Sequence, residues 1–257
     1  MTGRPDMDAA QLGDLLIKLA ARYETADFIN GDPVSFAHLA KGEGNLETTA
    51  FVASALSYGS RKQFLPKIGE IVSMAEGDVL GWVKDGRYMA AFRPDDGSSF
   101  YRLFSHAQMR RFLDALRKLL LDHGTIGGYL RGCGATDGLG AVKALCEAFG
   151  NGAAAPIVPK DATSACKRLC LFLRWMVRDG SPVDFGIWGG WFDKRTLIIP
   201  LDVHVVRQAR KLGLVGNASP SMRTALALTA RLGEFFPDDP LKGDFALYGL
   251  GIDEASR

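Results

Sequence analysis

Cysteine, histidine, strand signals and unbroken apolar runs are all scarce in this chain. Its four cysteines, Cys133, Cys146, Cys166 and Cys170, form no Cys-x-x-Cys pair. The four histidines, His38, His106, His123 and His204, are scattered. A zinc site draws its ligands from clustered motifs, so the cysteines read as free thiols of a reducing cytoplasm. Cys166 and Cys170, four residues apart, share a helix face and suit core packing. Residues 196–199 make the one good strand candidate. No run approaches the roughly 18 apolar residues of a membrane-spanning helix. Residues 1–6 lack the apolar segment of a secretory signal. These absences predict a cytoplasmic protein with no metal, no cofactor and no membrane partner.

Charge of one sign is lacking too: the net charge is only +2. Its distribution says more. Residues 160–178 carry Lys160, Lys167, Arg168, Arg174 and Arg178 against one acid, and residues 194–211 repeat that ratio. Residues 234–254 hold six acids and one lysine. One face could be basic while the whole is neutral, although solvated helix faces give the same pattern. The 257 residues, 47% hydrophobic and 23% charged, suffice for a large core in one domain or two intimate lobes.

Helical periods dominate what is present. Leu12, Leu15, Leu16, Leu19 and Tyr23 form an i, i+3, i+4, i+7 stripe. Breakers at Gly31-Asp32-Pro33 and Gly42-Glu43-Gly44 follow. Helices are predicted over residues 46–58, 63–75 and 139–149, and from an N-cap at Ser105 to about Asp122. Gly150-Asn151-Gly152 stops the third of these, and a small-residue linker covers 153–159. Further helices are predicted over 164–178, 201–212, 221–235 and 241–250. The fold class is all-α.

Two residues stand out chemically. Lys167 falls in the first turn of its predicted helix, where the macrodipole disfavours an ammonium. Arg168 and the apolar run of residues 169–176 act in the same direction, toward a neutral nucleophile. Asp202, in Pro200-Leu201-Asp202-Val203-His204, opens the next helix, where amides and dipole favour a carboxylate. Alone, Lys167 is also what a surface lysine looks like, and Asp202 what an N-cap looks like. Together, beside Arg207, Arg210 and Lys211, they suit a site that stabilises a cation while phosphates are held nearby. Asp202 and His204 lack the further ligands a metal site needs.

The segment from Pro200 to Gly213 resembles the Val-Asp-Thr-His segment of the helix-hairpin-helix DNA glycosylases, the endonuclease III superfamily. Leu56-Ser57-Tyr58-Gly59-Ser60 is similar to the early Leu-Ser-x-Gln segment of that group, which carries a base-displacing residue. Residues 164–169, 172–178, 183–188 and 244–251 resemble the shared motifs of an uncharacterised bacterial family related to those glycosylases. Nearly the whole chain is covered. Glycosylase hairpins read Gly-x-Gly-x-Lys, whereas Thr163 and Ala165 stand at the glycine positions here. The lysine-to-aspartate separation of 35 residues is long, as in the archaeal 8-oxoguanine glycosylase branch. The iron–sulfur loop of endonuclease III is absent.

The resemblance implies a two-lobed helical glycosylase-like fold, with a central lobe over roughly residues 45–160. A second lobe, from residues 1–44 plus 161–257, would carry the hairpin and the catalytic aspartate. It implies a monomer acting at the nucleoid as a base-excision glycosylase with abasic-site lyase activity, on double-stranded DNA containing a damaged base, an oxidised purine such as 8-oxoguanine. Lys167 would attack the sugar and Asp202 would stabilise the developing cation. Thr163, Ser164, Ala165, Cys166, Arg168, His204 and Arg207 would hold the DNA. Tyr58 or Arg61 would wedge the duplex, and Phe172, Trp188, Phe245 and Tyr248 would line the base pocket or form core instead. The rival readings are a non-catalytic DNA-binding protein on the same scaffold and an Asp-x-His metallohydrolase.

Overall fold

Twelve α-helices supply almost all the regular structure among the residues this computed structural model describes, 7–150, 154 and 156–255. In chain order they are α1 (Ala9–Tyr23), α2 (Val34–His38), α3 (Glu43–Leu56), α4 (Arg61–Met74), α5 (Val79–Lys84), α6 (His106–His123), α7 (Ile126–Gly132), α8 (Gly138–Gly150), α9 (Lys167–Val177), α10 (Val203–Lys211), α11 (Met222–Gly233) and α12 (Lys242–Ala255). Polar caps set several of their starts. Asp8 and Ser105 cap α1 and α6, each in a capping box closed by a glutamine three residues on. Asp202 caps α10 and Ser221 caps α11. The helix predicted from Ser164 begins at Lys167 instead, because Cys166 adopts a left-handed backbone with φ 45°.

Residues 196–199 correct the strand expectation. Thr196 ends a short 3-10 turn, and Leu197, Ile198 and Ile199 run on as buried chain with no strand partner. The Ile199 amide donates to Thr229 Oγ1 at 3.0 Å instead. A two-stranded antiparallel hairpin, β1 (Ser99–Tyr101) and β2 (Phe104–Ser105), stands where no strand was predicted. Gly150 does end α8, while the rest of the Gly150-Asn151-Gly152 stop and part of the 153–159 linker lie outside the described residues.

The packing explains which helices carry chemistry. α3 is buried on nearly every side, its polar Asn45, Glu47, Thr48, Thr49 and Ser54 included, and touches α2, α4, α5 and α9. Its Phe51 ring meets Phe149 and Phe172, each at 5.0 Å. α6 packs on α5, α7 and α8, while α1 and α10 lie against α12. α9 joins these groups. One side of α9 meets α3 and α8. The other inserts Arg174 and Arg178 among Asp184, Asp239, Asp244 and Glu24. Two of the basic residues of segment 160–178 are therefore interior groups paired with acids of segment 234–254, not part of a basic face. Among the described residues, no helix is long and apolar enough to cross a membrane.

Candidate active site

The N-termini of α9 and α10 meet at the wall of a cavity of about 890 Å³. Lys167, the first residue of α9, points its Nζ at Asp202, the N-cap of α10, and donates to Oδ2 at 2.6 Å. The other oxygen, Oδ1, accepts the His204 and Val205 amides at 2.9 Å each. Asp202 is thus a helix cap and an ion-pair partner at once. Burial alone would raise its carboxyl. The Lys167 charge and hydrogen bond, with the two amides, outweigh burial and hold it below the usual aspartate range. Both side chains stay reachable, with 41% of Lys167 and 26% of Asp202 exposed.

The α9 start differs from the α10 start in one respect: no side chain caps it. Ser164, Ala165 and Cys166 line the cavity beside it, although Ala165 and Cys166 are themselves buried. Contact with the Cys146 thiol draws the Cys166 thiol down to about 7, against the effect of burial. Thr163 does not line the cavity. Its amide and hydroxyl fold back onto Asp161, and its carbonyl accepts the Met222 amide. Arg168 lines the cavity, but its guanidinium is committed elsewhere. It donates to the carbonyls of Ala55 at 2.6 Å and Pro156 at 3.1 Å, tying α9 to the end of α3. Burial pulls that guanidinium down to about 10. His204 and Arg207 line the cavity as exposed side chains on α10.

Tyr58 and Arg61 stand at the rim. Tyr58 is 40% exposed, and the Tyr101 hydroxyl donates to its carbonyl. The Arg102 and Arg168 guanidinium groups lie 5.0 and 5.9 Å from its ring. Arg61 reaches inward to Asp32 at 3.1 Å and lies 5.6 Å from the Tyr248 ring. Phe245 and Tyr248 form part of the floor, with Phe28 set edge-on to both at 5.0 Å.

Two expected pocket residues are elsewhere. Phe172 is fully buried between Phe51 and Trp188, and the Trp188 indole donates to Glu47 at 3.2 Å. Both are core, because they sit on the α3 side of α9 and its following loop rather than on the cavity side.

Three floor residues were missed by sequence reasoning: Asp32, Arg174 and Asp244. Arg174 donates Nη1 to Asp244 at 2.5 Å and Nε to Asp184 at 3.2 Å. Burial pushes the Asp244 carboxyl up despite the Arg174 charge, and Lys167 and Asp202 both act on it. Asp244 opens the 244–251 motif, but it is a lone acid at a helix start and nothing in that motif marks it as a cavity residue. Among the described residues, no group of three His, Cys, Asp or Glu side chains is placed to hold a metal ion.

A family model described as "Protein of unknown function (DUF2400)" matches residues 32–253, a span that takes in Asp32, Lys167, Asp202 and Asp244. No curated protein and no solved structure matches the chain.

Proposed function

The chain belongs to the DUF2400 family, and we propose that it excises a damaged base, an oxidised purine such as 8-oxoguanine, from duplex DNA and then cleaves the abasic site. The observation that carries this reading is the Lys167–Asp202 pair, 2.6 Å apart in the wall of a cavity that can take a flipped nucleotide. An amine and a carboxylate at that distance are what glycosidic displacement needs. The proposal includes the two-lobed helix-hairpin-helix glycosylase arrangement suggested by the sequence resemblance.

Duplex DNA would lie across the rim, with a phosphate at the uncapped α9 N-terminus and Arg207 beside the backbone. Tyr58 would fill the space left by the extruded base, being an exposed ring already held at the rim. Lys167 must first lose its proton. Its Nζ lone pair then forms a bond to C1′ while the glycosidic C–N bond breaks, the electron pair leaving on the base. The proton that Lys167 gives up passes through Asp202 to the departing base, and Asp202 is left a carboxylate. Asp202 stabilises the positive charge that C1′ develops as the bond breaks. Ring opening gives a Schiff base between Lys167 and the sugar. Loss of a C2′ proton then expels the 3′ phosphate by β-elimination.

The test is borohydride trapping on duplexes bearing 8-oxoguanine or an abasic site. Wild-type protein is expected to become covalently linked to DNA, and Lys167→Gln to give no adduct. Equal trapping by Lys167→Gln removes Lys167 as the nucleophile. No trapping and no strand cleavage by the wild type ends the enzyme reading.

One observation favours a second reading, a DNA-binding protein without catalysis. The segment before Lys167 carries Thr163 and Ala165 where glycosylase hairpins carry glycine, and Ala165 and Cys166 are buried. A buried, non-glycine approach keeps phosphates farther from backbone amides. This reading expects salt-sensitive DNA binding with no turnover. A metal-dependent hydrolase has less support, since Asp202 Oδ2 is taken by Lys167 and, among the described residues, no ligand set stands beside it.

A further inference from the structure

Three buried thiols gather where α8 meets the start of α9, and the base-excision steps use none of them. Cys146 stands near the end of α8, Cys166 is the residue before Lys167, and Cys170 lies one turn into α9. The Cys146 and Cys166 thiols are hydrogen-bonded to each other across the two elements. Cys166 Sγ also lies 3.5 Å from Ser164 Oγ and donates to the Asp161 carbonyl at 3.4 Å. Cys170 is committed to its own helix, donating to the Ala165 carbonyl at 3.6 Å. Of the four cysteines only Cys166 lines the cavity that Lys167 and Asp202 border. An oxidant entering that cavity therefore meets the Cys166 side of the pair first.

The two thiols differ in the way an oxidisable pair requires. The Cys146 hydrogen bond draws Cys166 down to about 7, while contact with Cys166 and burial push Cys146 up. A thiolate attacks peroxides, and a neighbouring thiol resolves the product as a disulfide. The junction is also the place where α9 can yield. Cys146 is held within a regular helix, whereas Cys166 has a left-handed backbone, φ 45°, and no side chain caps the helix it precedes. Bonding draws two sulfurs closer than hydrogen bonding does, so the adjustment falls on Cys166, and Lys167 is the next residue.

We infer that Cys146 and Cys166 are a site of reversible oxidation by hydrogen peroxide, whose disulfide displaces Lys167 from its place beside Asp202 and suspends activity. Cys166 sulfur attacks one peroxide oxygen, the O–O bond breaks, and the other oxygen leaves as water, giving a sulfenic acid. Cys146 sulfur then displaces the hydroxyl, which leaves as a second water with the Cys146 proton. The two thiols are oxidised to a disulfide, and one peroxide is reduced to two waters. The disulfide depends on no assumed activity; its effect on catalysis rests on the base-excision reading above.

The experiment uses the full chain with Cys133→Ser, which removes the exposed thiol. Hydrogen peroxide is expected to remove the two thiol hydrogens from the intact mass, and digestion without reductant to give a peptide linking Cys146 to Cys166. Dithiothreitol is expected to reverse both. Cys146→Ser added to this background is expected to form no internal link. Borohydride adduct formation on abasic duplexes is expected to fall at least about tenfold on oxidation and to return on reduction, since displacing a reacting group by about 1 Å costs on the order of 100-fold. No link, or a link from Cys166 to Cys170, overturns the inference and leaves the base-excision reading standing. So does a Cys146–Cys166 link that leaves adduct formation unchanged. A reduced protein that gives no adduct at all ends the base-excision reading and with it the claim of control. If the Cys146→Ser protein fails to fold, the peptide map and the adduct yield of the Cys133→Ser chain decide alone.

Discussion

Asp202 makes three hydrogen bonds with two oxygens, two to the start of its own helix and one to Lys167. Capping and charge can be separated by substitution. Asparagine caps a helix about as well as aspartate, so Asp202→Asn is expected to melt close to the wild type while single-turnover base release falls on the order of 100-fold. Asp202→Ala is expected to lose about 1 kcal/mol more stability than Asp202→Asn, the usual worth of a cap. The pH dependence has a definite sign. The folded-state carboxyl is held below its ordinary range, chiefly by Lys167 once burial is overcome. The contribution of the charge is therefore complete above the unfolded-state value, about pH 4, and is lost as pH falls through the folded one. Urea denaturation of wild type and Asp202→Asn should show a constant difference at neutral pH that shrinks below about pH 4. It should also be small, because both partners of the pair are partly open to solvent.

Between elements, the recurring device is a side chain of one helix spent on the backbone of another. Glu47 of α3 accepts the Ile126 and Gly127 amides at the start of α7 and the Trp188 indole N–H. Glu47→Ala would leave three buried donors unpaired and is expected to cost about 3 kcal/mol, read as a shift in the denaturation midpoint at unchanged slope. Nothing in residues 43–56 announces this role, which shows where sequence reading fails. The stripe of α1, the capped start of α6 and the Asp202 start of α10 were legible because their signals are local. α2, α5 and α7 span only five to seven residues, too few for a period to stand out. Residues 197–199 were misread as a strand because their β-branched, apolar character reflects burial, here without a partner strand. At the site, Lys167 and Asp202 were legible as paired helix starts. Arg174 and Asp244 were not, since an arginine on a helix does not declare which acid far along the chain it will meet. Phe172 and Trp188, left open between pocket and core, prove to be core: an aromatic side chain does not say which face of α9 it will join.

At the scale of the whole molecule, the buried charges hold α1, α9 and α12 together. Arg178 donates to Asp239 through two nitrogens, to Asp184, and to Glu24 at 2.7 Å. Arg178→Met would leave those acids buried without their cation. A loss of about 3–5 kcal/mol is expected, since removing one partner of a buried pair costs more than the pair contributes. Burial already raises the Asp184 carboxyl. A carboxyl raised on folding binds its proton more tightly in the folded state, so the penalty is largest above the folded value and shrinks as pH falls toward it. Urea titrations of the variant at about pH 7 and about pH 5 should show the deficit narrowing at the lower pH. The same guanidinium groups have a mechanical consequence. Apolar helix faces tolerate sliding, but guanidinium hydrogen bonds, above all the two-nitrogen fork of Arg178 on Asp239, meet their carboxylates in one orientation. Advancing α9 by one residue would move it about 1.5 Å and turn it by about 100°, taking both arginines off their partners together. α9 therefore has one admissible depth, and the amine at its tip is indexed to the cavity the way a dowel indexes a machined part.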